Sequence, residues 1–158
     1  MKLVLLLCIF ILCMGCKPKA IEKAIESETP YPINEIINSI NLGKDQWLVF
    51  YTFDSEIEEG EDTKEIEDIL KVAILKGNSE DGWKSLSDHD WADYVDEDME
   101  VYEDTIFYKE SQKLKDIAVL FGRIHNPDIV RVEIGNEETK YVNANLFKVD
   151  GIRYFYRV

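Results

Sequence analysis

The run QWLVFYTF at residues 46–53 constrains the fold most, because it is apolar on both faces of an extended chain. Side chains alternate between the two faces of a strand. One face would carry Trp47, Val49, Tyr51 and Phe53, and the other Leu48 and Phe50. A strand that is apolar on both faces has to be covered on both. The sequence therefore predicts a central strand within a covered sheet.

Further extended segments follow along the chain. Strands are predicted at 68–76, 100–110, 116–124, 130–134, 141–147 and 151–158. The dipeptide Asp81-Gly82 breaks the chain at a turn within 76–85. Asp150-Gly151 fits a two-residue hairpin turn, in which glycine tolerates a positive φ. Together with 46–53, this pattern predicts about seven strands, of which the last three form a C-terminal meander.

Residues 32–42 have the spacing of an amphipathic helix. Ile33, Ile36, Ile37 and Ile40 fall at i, i+3, i+4 and i+7. Pro32 suits a first helical turn, and Gly43 suits the position after a helix end. The predicted fold class is α+β and mainly β, an antiparallel sheet or small sandwich of about seven strands with one N-terminal amphipathic helix.

The first sixteen residues, MKLVLLLCIFILCMGC, have the parts of a secretory signal. Lys2 precedes an apolar run from Leu3 to Met14, and Gly15 is a small residue at the exit. This run is much shorter than the roughly 20 residues that span a bilayer. All the cysteines of the chain lie in this segment. We therefore expect no internal disulfide and no thiolate site in the domain that follows.

The Gly15-Cys16 junction resembles the lipobox of bacterial lipoproteins. The resemblance implies that Cys16 is lipidated and that the protein is held on the extracytoplasmic face of the cell membrane. It divides the chain into a signal peptide (1–15), a lipidated cysteine with a tether (16–30) and a single acidic, strand-rich domain (31–158). Cys13 stands where lipoboxes usually carry leucine, so an ordinary cleaved signal or an uncleaved anchor remains the alternative.

The charge of the chain is strongly negative and unevenly spread. The net charge is −14, and residues 54–110 are the acidic segment. Nucleic acid is not an expected partner, because phosphate binding requires clustered Lys and Arg. The weak candidates for a cation site are Asp88, Asp90, Asp93, Asp96 and Asp98. Their spacing does not match an EF-hand loop, so no metal site and no cofactor are predicted.

Catalytic motifs are missing from the sequence. There is no G-x-S-x-G elbow, no H-E-x-x-H and no glycine-rich phosphate loop. His89 and His125 are expected to have surface or turn roles. We therefore predict no catalytic residue and no enzyme activity. A hydrolase that uses two carboxylates remains an alternative, because the chain has many acids.

The C-terminal strands carry the candidate binding residues, which are Arg123, Arg131, Arg153, Phe155 and Arg157. Arg153, Phe155 and Arg157 share one face of a strand, and arginines with aromatic residues are enriched at protein interfaces. The alternative is an outward face whose arginines balance nearby acids.

Two stretches, VAILKGNSEDGW and FGRIHNPDIVRVEI (121–134), are similar to segments of small uncharacterised lipoproteins of low-GC Gram-positive bacteria. That resemblance implies no particular activity. The sequence thus predicts a lipid-anchored binding or interaction protein with a possible protein partner at the cell envelope. The alternative is a membrane-held inhibitor or immunity-type protein that acts against an exogenous enzyme or toxin.

Overall fold

A computed structural model describes residues 20–29, 31–59, 63–86, 89–95, 97–110, 113–135 and 140–158. These residues form helix α1 (Ile21–Glu26) and strands β1 (Ile33–Gly43), β2 (Gln46–Glu59), β3 (Thr63–Asn78), β4 (Gly82–Ser85), β5 (His89–Val95), β6 (Met99–Glu110), β7 (Lys113–Ile124), β8 (Glu133–Ile134), β9 (Val142–Asn143), β10 (Asn145–Val149) and β11 (Ile152–Arg157). The predicted class, mainly β with antiparallel sheets and a short helix near the N-terminus, is confirmed. The described strands number eleven, because segments predicted as a helix, a turn and an acidic cluster also pair as strands, and because the predicted strand at 141–147 is divided into β9 and β10.

The strands form two larger sheets and a small ribbon. The first sheet has the order β1-β2-β3-β4, and the second has the order β10-β11-β7-β6-β5. Strands β8 and β9 form the two-stranded ribbon. Every described pair is antiparallel. The hairpins β2–β3 and β6–β7 contribute the longest ladders and are the frame of the two sheets.

The main hydrophobic core lies between these two sheets. The first sheet contributes buried residues from three strands, and the second contributes residues from β6, β7 and β11; they are Ile37, Leu48, Phe50, Leu70, Val72, Ile74, Tyr102, Ile106, Val119, Phe121 and Tyr154. Phe50 lies among the rings of Phe121, Phe147 and Tyr156, with centroids 5.4–6.1 Å apart. These aromatic contacts join the sheets into a sandwich.

The opposite face of the first sheet is also covered. Helix α1 packs there through Ala24 and Ile25, each 1% exposed, together with Val49 and Tyr51 of β2. Strand β2 is therefore buried on both faces, which confirms the prediction for 46–53. Helix α1 lies inside the predicted tether (16–30), so part of that segment packs against the domain. Among the described residues, no helix has the length and hydropathy needed to cross a membrane.

The predicted helix at 32–42 is wrong, since these residues form the edge strand β1. Pairing with β2 is interrupted by register shifts at Ile33/Glu35, Ile36/Asn38 and Asn41/Gly43. A bulge inserts one residue and reverses which side chains lie on which face. Consequently Ile33 and Ile36 pack on the α1 side, whereas Ile37 and Ile40 pack between the sheets. Two faces of a bulged strand thus produced the spacing of one helical face.

The two predicted turns are confirmed. Strand β3 ends at Asn78 and β4 begins at Gly82, where φ is +82°. Between β10 and β11, Asp150 and Gly151 have φ values of 47° and 91°. Positive φ at both central residues is the signature of a type I′ hairpin turn. This turn fixes the register that aligns β10 with β11.

Candidate functional site

Arg123 joins the two sheets and is not a free surface cation. Its guanidinium lies 2.8 Å from the Asp68 carboxylate and donates a hydrogen bond of 3.0 Å to the Asp68 carbonyl. The Glu100 carboxylate lies 3.6 Å away. The Arg123 side chain is only 11% exposed. The prediction that Arg123 belongs to an exposed binding face is therefore wrong, because its donors are directed across the sandwich.

Glu100 is the centre of the polar network around Arg123. Its carboxylate accepts a hydrogen bond from the Tyr102 hydroxyl at 3.0 Å and contacts Nε2 of His125 at 2.9 Å. Burial raises the pKa of nearby Tyr154; Arg123 opposes that rise, whereas the carboxylates, including Glu100, add to it. These groups are engaged with one another, so the network links β3 of the first sheet to β6 and β7 of the second. His125 has the surface role expected of it.

Arg153 fixes the loop that follows β7. Its guanidinium donates to the backbone carbonyls of Asn126 and Ile129, each at 2.5 Å. Arg131 and Arg157 are exposed, and Arg131 lies 3.4 Å from Glu133. Of the candidate binding residues, Arg131 and Arg157 therefore keep an exposed cation, while Arg153 serves the fold.

Phe155 is fully buried, at 0% exposure, so its assignment to an exposed face is wrong. Its ring packs directly over Gly122, the residue that pairs with it on β7. A Cβ at Gly122 would lie 2.7 Å from the ring and 1.8 Å from the carbonyl oxygen of Glu100. The glycine is required because it lets the aromatic ring approach the neighbouring backbone.

The predicted aspartate cluster is only partly described. Asp88 and Asp96 lie outside the described residues, and only the backbone of Asp90 and Asp93, in β5, is described. Asp98 accepts hydrogen bonds at its carbonyl from the amides of His125 and Asn126, at 2.9 and 3.0 Å. Its carboxylate accepts one from the Asn126 side chain at 2.8 Å. No group of three or more metal-binding side chains occurs within the described ranges. Cys16 also lies outside them.

A second set of interacting polar groups consists of Asp104, Tyr51 and Lys71. The Asp104 side chain is 1% exposed, and Tyr51 is 2% exposed. Burial raises the pKa of Tyr51 well above its usual range, and the Asp104 carboxylate raises it further. Burial also lowers the pKa of Lys71, and Asp104 acts in the opposite direction. Asp104 therefore interacts electrostatically with both Tyr51 and Lys71.

A pocket of about 240 Å³ lies beside β10. It is lined by Ile124, Leu146, Phe147, Lys148 and Arg153. Lys148 pairs with Arg153, and Arg153 pairs with Ile124, so these residues follow one another across β10, β11 and β7. Cross-strand partners lie on the same face of a sheet. Four of the five lining residues therefore lie on the outer face of the second sheet, whereas the Phe147 ring packs against Phe50 between the sheets. The lining contains two cations and no acid. We call this site the β10 pocket.

Exposed apolar side chains are concentrated near this pocket in sequence. Of the large exposed hydrophobic residues described, most lie in the last 30 residues of the chain: Val130, Tyr141, Val142, Leu146, Ile152 and Val158. Leu146 is 46% exposed and also lines the β10 pocket. Leu146 and Lys148 are not among the binding residues predicted from the sequence, because Leu146 fits a plain alternating strand at 141–147 and Lys148 lies just after that strand. The available signal was the short NLFKV run directly before Asp150-Gly151, which is the first strand of the hairpin that turns there.

Comparisons with family models, curated proteins and solved structures found no match to this chain.

Proposed function

We propose that this chain is a lipid-anchored binding protein on the extracytoplasmic face of the cell membrane, and that it binds a protein partner through its C-terminal strands. The observation that carries this proposal is the β10 pocket, where exposed Leu146 adjoins two cations. Lipid attachment through Cys16 and the extracytoplasmic location follow from the lipobox-like signal in the sequence.

The size of the pocket favours a protein partner over a metabolite. Small-molecule sites usually enclose about 300–1,000 Å³ and bury most of the ligand. The β10 pocket, at about 240 Å³, is smaller and has room for one or two side chains of a partner. An aromatic or aliphatic anchor that enters such a pocket is typical of the energetic centre of a protein interface.

The polar groups that resemble catalytic machinery have structural partners. Glu100 accepts from Tyr102 and contacts His125, and Asp68 holds Arg123. These contacts link β3, β6 and β7. They support a scaffold that presents its C-terminal strands, so binding is the function we favour over carboxylate-dependent hydrolysis.

The proposal is tested by immunoprecipitation of the full-length protein from solubilised membranes of the cells that make it. Leu146→Asp places a charge in the pocket, and we expect it to reduce recovery of the bound protein by about tenfold. Tyr94→Asp is the matched control, because Tyr94 is 64% exposed on β5, the opposite edge of the same sheet. Equal recovery with both variants, or no bound protein with the wild type, would contradict the proposal.

The identity of the recovered protein then separates the two forms of this function. A resident envelope protein indicates an interaction partner of the cell itself. A secreted enzyme or toxin of another cell indicates an inhibitor or immunity role.

A further inference from the structure

We propose that the outer edge of β10 binds an extended, acidic segment of the partner as an additional strand of the second sheet, with one apolar side chain of that segment in the β10 pocket. This inference rests on the proposed function and specifies the mode of binding and the partner's chemistry. Strand addition supplies affinity through backbone hydrogen bonds and specificity through pockets for alternate side chains.

The four edge strands of the two sheets differ in how they are protected. Strand β1 is interrupted by three register shifts, and β4 has only four residues. Strand β5 contains Asp90 and Asp93 in its sequence. Bulges, short length and charges all discourage pairing with another chain. These three edges therefore resist strand addition.

Strand β10 lacks most of these protections. It pairs with β11 without a register shift from Asn145 to Val149, and it contains neither proline nor an acid. Its other side has no strand partner among the described residues. The charge it carries is that of Lys148, which discourages pairing with an uncharged or basic strand but attracts a strand that places an acid opposite it. The edge is thus open to a partner of opposite charge.

The pocket lies where an added strand would need it. Leu146 and Lys148 are two residues apart on β10, so they lie on the same face. A strand added beside β10 would direct every second side chain to that face. One of these side chains would pack against Leu146 at the outer side of the pocket, and the next would lie near Lys148. This geometry specifies a segment in which an apolar residue and an acid are two positions apart.

The positive charge of the C-terminal strands favours a negatively charged partner segment. Residues 140–158 contain four bases (Lys140, Lys148, Arg153 and Arg157) and one acid (Asp150), whereas the whole chain has a net charge of −14. A basic edge on an acidic protein complements an acidic segment and repels a basic one. A second copy of this chain is a poor occupant, because its own β10 would bring another Lys148 and because two chains of −14 repel each other.

The test uses hydrogen exchange and binding measurements on the full-length protein in detergent micelles. The probe is a short synthetic peptide in which leucine and glutamate stand two positions apart with threonine between them, so that both lie on one face of the added strand. The comparison peptide has lysine in place of glutamate. At about 0.15 M salt the screening length is about 8 Å, so local charge pairs outweigh the repulsion of the whole chain. We expect the glutamate peptide to slow amide exchange in β10 and the lysine peptide to bind about tenfold more weakly.

Charge reversal locates the site. Lys148→Glu is expected to weaken binding of the glutamate peptide by about tenfold. The matched control is Lys84→Glu on β4, an exposed lysine on the other sheet, which should leave binding unchanged. Protection of amides elsewhere, equal binding of the two peptides, or equal effects of the two variants would overturn the strand-addition mode.

The two proposals fail in distinguishable ways. If Leu146→Asp abolishes recovery of the partner but the glutamate peptide does not protect β10, the edge mode is wrong and the binding function stands. If Leu146→Asp leaves recovery unchanged, the proposed binding surface itself is wrong, whatever the peptide does.

Discussion

Replacing Arg123 by methionine should destabilise the fold without involving the binding surface. Methionine keeps the unbranched apolar stem and removes the guanidinium that contacts Asp68 at 2.8 Å and Glu100 at 3.6 Å. Removing one partner of a buried ion pair costs about 3–5 kcal/mol, because it leaves an uncompensated charge. Here the Asp68 side chain is 50% exposed and can be solvated again. Asp68 therefore contributes little to the loss of stability.

Two further features set the expected magnitude. Glu100 is 13% exposed and keeps its contacts with Tyr102 and His125, so it loses only part of its electrostatic stabilisation when the guanidinium is removed. The Nε atom of Arg123 is buried with no hydrogen-bond partner among the described residues, and methionine removes that desolvation cost. We therefore expect a loss of about 2 kcal/mol. For a chain of 158 residues this corresponds to a decrease in Tm of roughly 4–8 °C.

The assay is thermal and urea unfolding of the full-length protein at neutral pH, followed by near-ultraviolet circular dichroism. Arg157→Met is the matched control, because Arg157 is exposed at the end of β11 and such changes usually stay within about 0.5 kcal/mol. A Tm for Arg123→Met within about 1 °C of both the wild type and the control would refute the reasoning. It would mean that desolvation of the guanidinium cancels the whole benefit of its contacts.

Three other changes test separate parts of the structure. Gly122→Ala should lower the free energy of unfolding by about 2 kcal/mol or more in urea titrations, because its Cβ would lie 1.8 Å from the Glu100 carbonyl; an unchanged midpoint would contradict that contact. The raised pKa of Tyr51 means that above pH 10 the hydroxyl stays protonated in the folded state and loses its proton in the unfolded state. The free energy of unfolding of the wild type should therefore fall with pH by up to about 1.4 kcal/mol per pH unit more steeply than that of Tyr51→Phe. Below pH 9 the two slopes should be equal. Cys16→Ser should release the protein into the soluble fraction; a variant that stays membrane-bound would identify the apolar run as the anchor.

The sequence is sufficient to predict the central strand, since burial on both faces leaves a direct mark on residue type. Leu48, Val49 and Phe50 are consecutive and each 0% exposed, which an amphipathic surface strand does not allow. The Asp150-Gly151 hairpin is equally local, because its positive φ values are a property of two adjacent residues. Features that depend on one strand or one turn were therefore predictable.

Features that depend on the pairing between strands could not be predicted from the sequence. Bulges in β1 depend on the β2 register, and they gave a strand the spacing of a helix. Arg123 and Arg153 differ in role because of contacts that are distant in sequence. Arg123 contacts Asp68, 55 residues away, whereas Arg153 contacts the loop after β7 at Asn126, 27 residues away. A strand pattern gives the face of a side chain but not what covers that face, and this is why the sequence predicts a binding face for Phe155, which is buried.

The position of β10 at one edge of its sheet explains why an acidic partner segment would bind there and not at the other edge. Strands β5 and β10 are the two edges of the same sheet, separated by β6, β7 and β11. The sequence places β5 inside the acidic segment 54–110 and β10 inside the basic residues 140–158. An acidic segment is therefore repelled at one edge and attracted at the other, and this difference suppresses binding at the wrong edge. Because the two edges lie on opposite sides of one sheet, a single partner segment can distinguish them by charge before any backbone hydrogen bond forms.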